Sequence, residues 1–246
     1  MKQAPFLLSR PMTISSHHNA QLAEVRRLTG RRDRRDRTGR FVAEGEDLLT
    51  AADDAGWEPI RRYCAAGSGL PGIEVEPGLL AAASGLGSGT RALAVYEERW
   101  SPAPSAPLCV HLHGVGDPGN VGAILRSAEA FGASSVSVGP GTADPYSPRA
   151  VRASMGAVFT VALARASSLQ QLPNPTVALC AGSGTPLDQL RLEAASLLIG
   201  SERAGLPEEL VNAADHVAQI PVVNHSLNAA MAATVALYEM SRMARL

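Results

Sequence analysis

From Leu108 to Arg242 the sequence changes period repeatedly. Short apolar runs alternate with stripes of three-to-four spacing, and glycine or proline punctuates the joins. The runs are "LCVHLHGV", "SSVSVG", "TVALCAG", "SLLIGS" and "HVAQIPV". The helical stretches are Val121–Phe131, "SPRAVRASMGAVF", "PEELVNAAD" after a helix-opening proline, and Ser226–Arg242. Strands near-continuously apolar and separated by helices pair in parallel, with helices covering both faces of the sheet. This alternation predicts an α/β fold.

Before Leu108 lies "SPAPSAP", residues 101–107, with three prolines and two serines. Such a segment is neither strand nor helix interior, and it predicts a linker. The stretch before it reads as a smaller α/β module. Its first helix lies in "HNAQLAEVRRLTG", with Leu22, Val25 and Leu28 three apart. "RRDRRDRTGR" breaks that pattern and reads as a basic loop. "FVAEG" reads as a strand, "EDLLTAADDAG" as a helix closed by Gly56, and "ALAVYEE" as a late strand. The organisation expected is residues 1–100, a linker at 101–107 and a main domain at 108–246.

Charge is unevenly placed. The whole chain is at -1, yet residues 1–40 hold ten Lys or Arg against three acids. One end can therefore grip a polyanion while the whole protein is no general polyanion binder. Arg31, Arg32, Arg34, Arg35 and Arg37 are the candidates for gripping the phosphates of such a polyanion. Cys64, Cys109 and Cys180 are widely spaced and suggest neither disulfides nor zinc. With no apolar run of membrane-spanning length, a cytoplasmic location and no membrane partner are expected.

Three glycine turns carry chemistry. The first, "HGVGDPGN", contains a literal G-x-G-x-x-G at Gly114, Gly116 and Gly119, between strand and helix. A dinucleotide-binding oxidoreductase is one reading. Pro118 inside the turn, Asn120 at the helix start, and a following strand without a terminal Asp or Glu count against it. Arg126, beside the apolar stripe of this helix, suits bidentate recognition of phosphate or carboxylate. The second turn, "IGSERAGLP", holds Glu202 between Gly200 and Gly205. The third, "IPVVNHSLNAAMAATVALYE", feeds a polar loop into a final helix, with Ser226 or His225 near its cap and Asn228 as a polar first-turn residue. His111 and His113 share a strand face but lack a third ligand nearby, and no metal is expected.

In this order, "NVGAILRSAEAFG", "IGSERAGLP" and "IPVVNHSLNAAMAATVALYE" resemble the three motifs of the SpoU-type, TrmH-like RNA ribose 2'-O-methyltransferases of the SPOUT superfamily, over about residues 108–246. "RTGRFVAEGEDLL" is similar to that family's small RNA-binding module of L30e-like fold. The resemblance implies a C-terminal trefoil knot, a homodimer with a shared active site, and S-adenosylmethionine as cofactor, lined by Gly200, Ile220 and Leu227. It implies catalytic roles for Asn120, Arg126, Glu202, Ser226 and Asn228. The acceptor would be a ribose 2'-hydroxyl, in ribosomal RNA before transfer RNA, and not DNA, which lacks that group. Arg203 stands where many relatives have a second glycine. The competing class is a non-catalytic RNA-binding protein that kept the fold; cofactor binding without methyl transfer would distinguish it.

Overall fold

The computed structural model describes residues 13–85, 89–223 and 227–243. The chain forms two compact units. One takes in the chain up to Thr50 together with Glu58–Glu97; the other takes in Ala51–Trp57 and Glu98 onward.

In the first unit, helix α1 (Ala20–Gly30) starts at Asn19, whose side chain accepts the backbone N–H groups of Gln21 and Leu22. Its Leu22, Val25 and Leu28 are fully buried, as their spacing predicts. The next segment departs from expectation. "RDRRDRT" is a helix, α2 (Arg32–Thr38), not a loop, and it ends at Gly39 in a left-handed conformation. The arginines and aspartates stand four apart, so Arg32–Asp36 and Asp33–Arg37 pair along one turn each. These pairs offset the lack of an apolar stripe.

Strand β1 (Arg40–Glu44), helix α3 (Glu46–Asp54), strands β2 (Arg61–Ala65) and β3 (Ile73–Val75), helix α4 (Pro77–Ala83) and strand β4 (Ala92–Glu97) follow. The four strands form a mixed sheet in the order β1-β4-β2-β3. Leu22, Leu28, Val42, Tyr63, Leu80 and Leu93 share its core. The segments at β2, β3 and α4 are too short and irregular to announce themselves.

The second unit is built on seven parallel strands: β5 (Leu108–Leu112), β6 (Ser135–Val138), β7 (Leu163–Arg165), β8 (Thr176–Leu179), β9 (Thr185–Pro186), β10 (Ala195–Ile199) and β11 (His216–Gln219). Their order is β7-β6-β5-β10-β8-β11-β9. The central strands β5 and β10 are buried at every position, as a strand covered on both faces must be. The helices are α5 (Pro118–Ala130), α6 (Pro148–Ser154), α7 (Glu208–Ala213) and α8 (Ala229–Met243). Val121, Ile124, Leu125 and Ala128 of α5 are all buried. The proline-rich stretch is anchored to this unit: Ser101 N–H donates to the Leu163 carbonyl and Ser105 N–H to Ser135 Oγ.

Two close approaches fix the layer beside the sheet. A side chain at Gly122 would meet the Ala150 carbonyl oxygen at 2.3 Å, so α5 and α6 touch backbone to backbone. On its other flank α5 meets α8, where the hydroxyls of Ser127 and Thr234 lie 2.6 Å apart.

Candidate active site

The site is assembled at the C-terminal ends of the parallel strands, where open α/β sheets accept ligands. Its first component is the start of α5. Asn120 stands at this helix start, but it is not the residue that caps it. The cap is instead Asp117, whose Oδ1 accepts the Asn120 N–H at 3.0 Å, with Pro118 at the first helical position. "DPGN" carries that signature, and reading it would have left the Asn120 side chain free. That freedom is used: Asn120 Nδ2 donates to Glu202 Oε1 at 2.6 Å.

Glu202 belongs to the second component, the turn after β10. Ser201 and Gly205 exchange both backbone hydrogen bonds at 3.0 Å, which holds the turn shut. Gly200 leads into it. A Cβ there would lie 2.2 Å from the Gly205 carbonyl carbon and 2.3 Å from the Leu206 nitrogen, so only glycine lets the two backbone segments pass. Glu202 pairs across the site with Asn120 and makes no ion pair with Arg203.

The third component is the start of α8. Asn228 Oδ1 accepts the N–H groups of Ala230 at 2.9 Å and Met231 at 3.4 Å, so Asn228 caps α8; Ser226 and His225, expected near the cap, lie outside the described residues. Its Nδ2 donates to Asn120 Oδ1 at 3.2 Å. The chain of contacts therefore runs Asn228 to Asn120 to Glu202, one residue from each of the three turns. Ser226 lies outside the described residues.

A cavity of about 350 Å³ opens beside Glu202. Gly200, Ile220 and Leu227, the three positions expected to line a cofactor, all line it, with Ile199, Leu206 and Val222 among its apolar walls. The sequence reading missed Leu179, Cys180 and Ala181 on its far side. They lie at the C-terminal end of strand β8, and the rule about strand ends would have found them. Burial pushes the Cys180 thiol up, so it faces the cavity as a thiol. The residues fit a sulfonium nucleoside. The glycine crossing admits a ligand close to main-chain groups, aliphatic side chains suit a flat base, and Glu202 supplies a carboxylate near a cation.

Arg126 is not part of this cluster. It is exposed, and among the described residues its side chain makes neither an ion pair nor a hydrogen bond. Six residues separate it from Asn120, which places it about a third of a turn around α5. His111 is buried with its Nδ1 3.1 Å from Ser137 Oγ, and the described residues hold no cluster of metal-ligand type.

The basic N-terminal positions divide. Arg31 is exposed, and Arg32 and Arg37 carry only solvent-exposed pairs with Asp36 and Asp33. Arg34 holds Glu24 through both carboxylate oxygens at 2.8 Å. Arg35 is buried, donating to the Leu28 carbonyl at 2.7 Å. Its place among the phosphate-binding candidates is thereby corrected: its guanidinium is consumed in joining α1 to α2.

The model of the SpoU rRNA Methylase family matches residues 107–238. The chain belongs to this family of RNA methyltransferases. It is 31% identical to a 23S rRNA (uridine-2'-O)-methyltransferase of Streptomyces viridochromogenes over 91% of this chain and 90% of that one. It is 33% identical to a ribosomal RNA small subunit methyltransferase of Syntrophobacter fumaroxidans, of whose length it spans about half, 49%. Among solved structures, an AdoMet-bound rRNA methyltransferase of Sinorhizobium meliloti superposes with a TM-score of 0.84 at 30% identity, covering 94% of this chain and 97% of that one. The SpoU methyltransferase AviRb of Streptomyces viridochromogenes with AdoMet gives 0.81 at 28% identity, covering 91% and 97%. The dinucleotide reading of Gly114, Gly116 and Gly119 falls away with this assignment.

Proposed function

We propose that this methyltransferase uses S-adenosylmethionine to methylate a ribose 2'-hydroxyl in ribosomal RNA. The observation that carries the reading is the contact chain Asn228–Asn120–Glu202 at the edge of the cavity lined by Gly200, Ile220 and Leu227. Bound S-adenosylmethionine supplies an activated methyl group. What this chain's residues add is alignment and help for a weak nucleophile, and alignment alone contributes several kcal/mol. Asn120, held from both sides, fixes the Glu202 carboxylate. One Glu202 oxygen is occupied by Asn120; the other is available to accept the hydrogen bond of a ribose hydroxyl. Ser226 would contact substrate in the same loop.

A guanidinium keeps its proton far above neutral pH, so Arg126 acts as an electrostatic stabiliser of the developing alkoxide or a clamp on the neighbouring phosphate, not as a base. Its absence from the lining of its own chain's cavity supports a homodimer in which it serves the partner's site. The exposed stripe of Met231, Val235 and Tyr238 on α8 supports the same assembly. The C-terminal trefoil knot, the L30e-like character of the first unit, phosphate contacts by Arg31, Arg32 and Arg37, and a cytoplasmic location complete this reading.

The test is methylation of ribosomal RNA from a strain lacking the protein, using purified protein and S-adenosylmethionine. A 2'-O-methyl group blocks alkaline cleavage at its own nucleotide, so one position should become resistant. Tight cofactor binding with no protected nucleotide would establish the non-catalytic alternative instead.

A further inference from the structure

The strongest positive feature beside the site is not in the N-terminal segment. Arg149 and Arg152 stand three apart on α6 and so share one helix face. Both are exposed. The Arg152 side chain, like that of Arg126, makes no ion pair or hydrogen bond among the described residues. Arg149 lies across the first turn of α5. A Cβ placed on Gly119 would be 3.5 Å from its Nε, one residue before Asn120. Its guanidinium meets Asp117 Oδ2 at 3.0 Å, with the Arg149 side chain still 70% exposed. The other oxygen of Asp117 is committed to the Asn120 N–H.

We propose that Arg149 and Arg152 form a phosphate-binding strip that seats the RNA strand next to the acceptor ribose. The inference rests on the RNA-methyltransferase reading above. Exposed ion pairs contribute little, so the Asp117 partner orients Arg149 without holding it against a stronger, doubly hydrogen-bonding phosphate. The backbone approach at Gly122 packs α5 directly against α6. A phosphate on Arg149 therefore has a fixed relation to Asn120, and through it to Glu202. Among neighbouring acids, Asp117 is committed as described, and Glu129 is engaged by the Thr160 hydroxyl.

The test compares Arg149→Ala/Arg152→Ala with wild type for binding to in vitro transcribed ribosomal RNA across a salt series, with S-adenosylmethionine affinity measured by calorimetry. Each lost phosphate contact lowers the slope of log K against log salt by nearly one, so the double variant should lose about two from the slope and at least about tenfold in affinity. Cofactor affinity should be unchanged. Arg149→Lys/Arg152→Lys should restore the slope. An unchanged slope with intact cofactor binding overturns the proposal, and so does a slope that lysine fails to restore. If the alanine pair does not fold, Arg152→Gln, which removes a guanidinium that makes no ion pair or hydrogen bond among the described residues, carries the test alone with a fall of about one. Failure of the underlying reading looks different: wild type would then methylate no RNA, whatever its slope.

Discussion

At the scale of single residues, two positions carry strict consequences. At Gly200 a methyl group has nowhere to go, because the obstructing atoms are the backbone of Gly205 and Leu206 and not a movable side chain. Gly200→Ala should force the Ser201–Gly205 turn apart. S-adenosylmethionine affinity, read by calorimetry, should fall by tenfold or more while the far-ultraviolet spectrum stays close to wild type. His111 carries the other. Burial, with a smaller contribution from His113, lowers its pKa to about 4 from an ordinary 6.5. The unfolded chain takes up a proton below pH 6.5, and the folded chain resists until about 4. Stability should therefore be flat with respect to this group above pH 6.5, decline as pH falls through that window, and lose about 3 kcal/mol by its lower end. Denaturant melts at stepped pH check this, and His111→Gln should flatten the slope through the window.

At the scale of elements, the main helices and strands were legible because their apolar spacing is regular. α1, α5 and the central strands needed no tertiary information. α2 was not legible, because its stability comes from charge pairs four apart on a stretch with no apolar stripe. β7 and β9, at two or three residues, lie below the length at which period can be read. Helix starts are less legible than helix interiors, because several polar residues compete for each cap. At α5 the cap is Asp117, three residues before Asn120. At α8 Asn228 caps the helix with its side-chain oxygen. Asn228 has two separable duties, since one side-chain atom caps α8 and the other holds Asn120. Asn228→Ala should cost about 1 kcal/mol in stability and also depress kcat, whereas Asn228→Ser should recover the cap but not the reach to Asn120. Thermal melts and turnover on ribosomal RNA would separate the two; serine restoring both would argue against any role for the Asn120 contact.

At the scale of the whole molecule, the sequence supplied the three turns but not the manner of their meeting. Asn120 and Asn228 are 108 positions apart, and no local period records that they touch. Arg126 raises the same difficulty one level higher. Its motif places it with Asn120, yet it neither joins the Asn228–Asn120–Glu202 contacts nor lines the cavity of its own chain. On α8, Met231 is 63% exposed, with Val235 and Tyr238 on the same face. An apolar stripe of this kind beside the site suits an isologous contact with a second copy. Met231→Glu/Val235→Glu should then yield monomers by sedimentation and abolish methyl transfer without harming the monomer's fold. Complementation gives the sharper measurement. Arg126→Ala and Glu202→Ala should each be inactive. If every site takes Arg126 from one copy and Glu202 from the other, a heterodimer of the two variants has one site with both residues intact. Mixing equal amounts and allowing exchange should therefore recover about a quarter of wild-type activity. If Arg126 served its own chain, each site in the mixture would lack one of the two groups, and no activity would return.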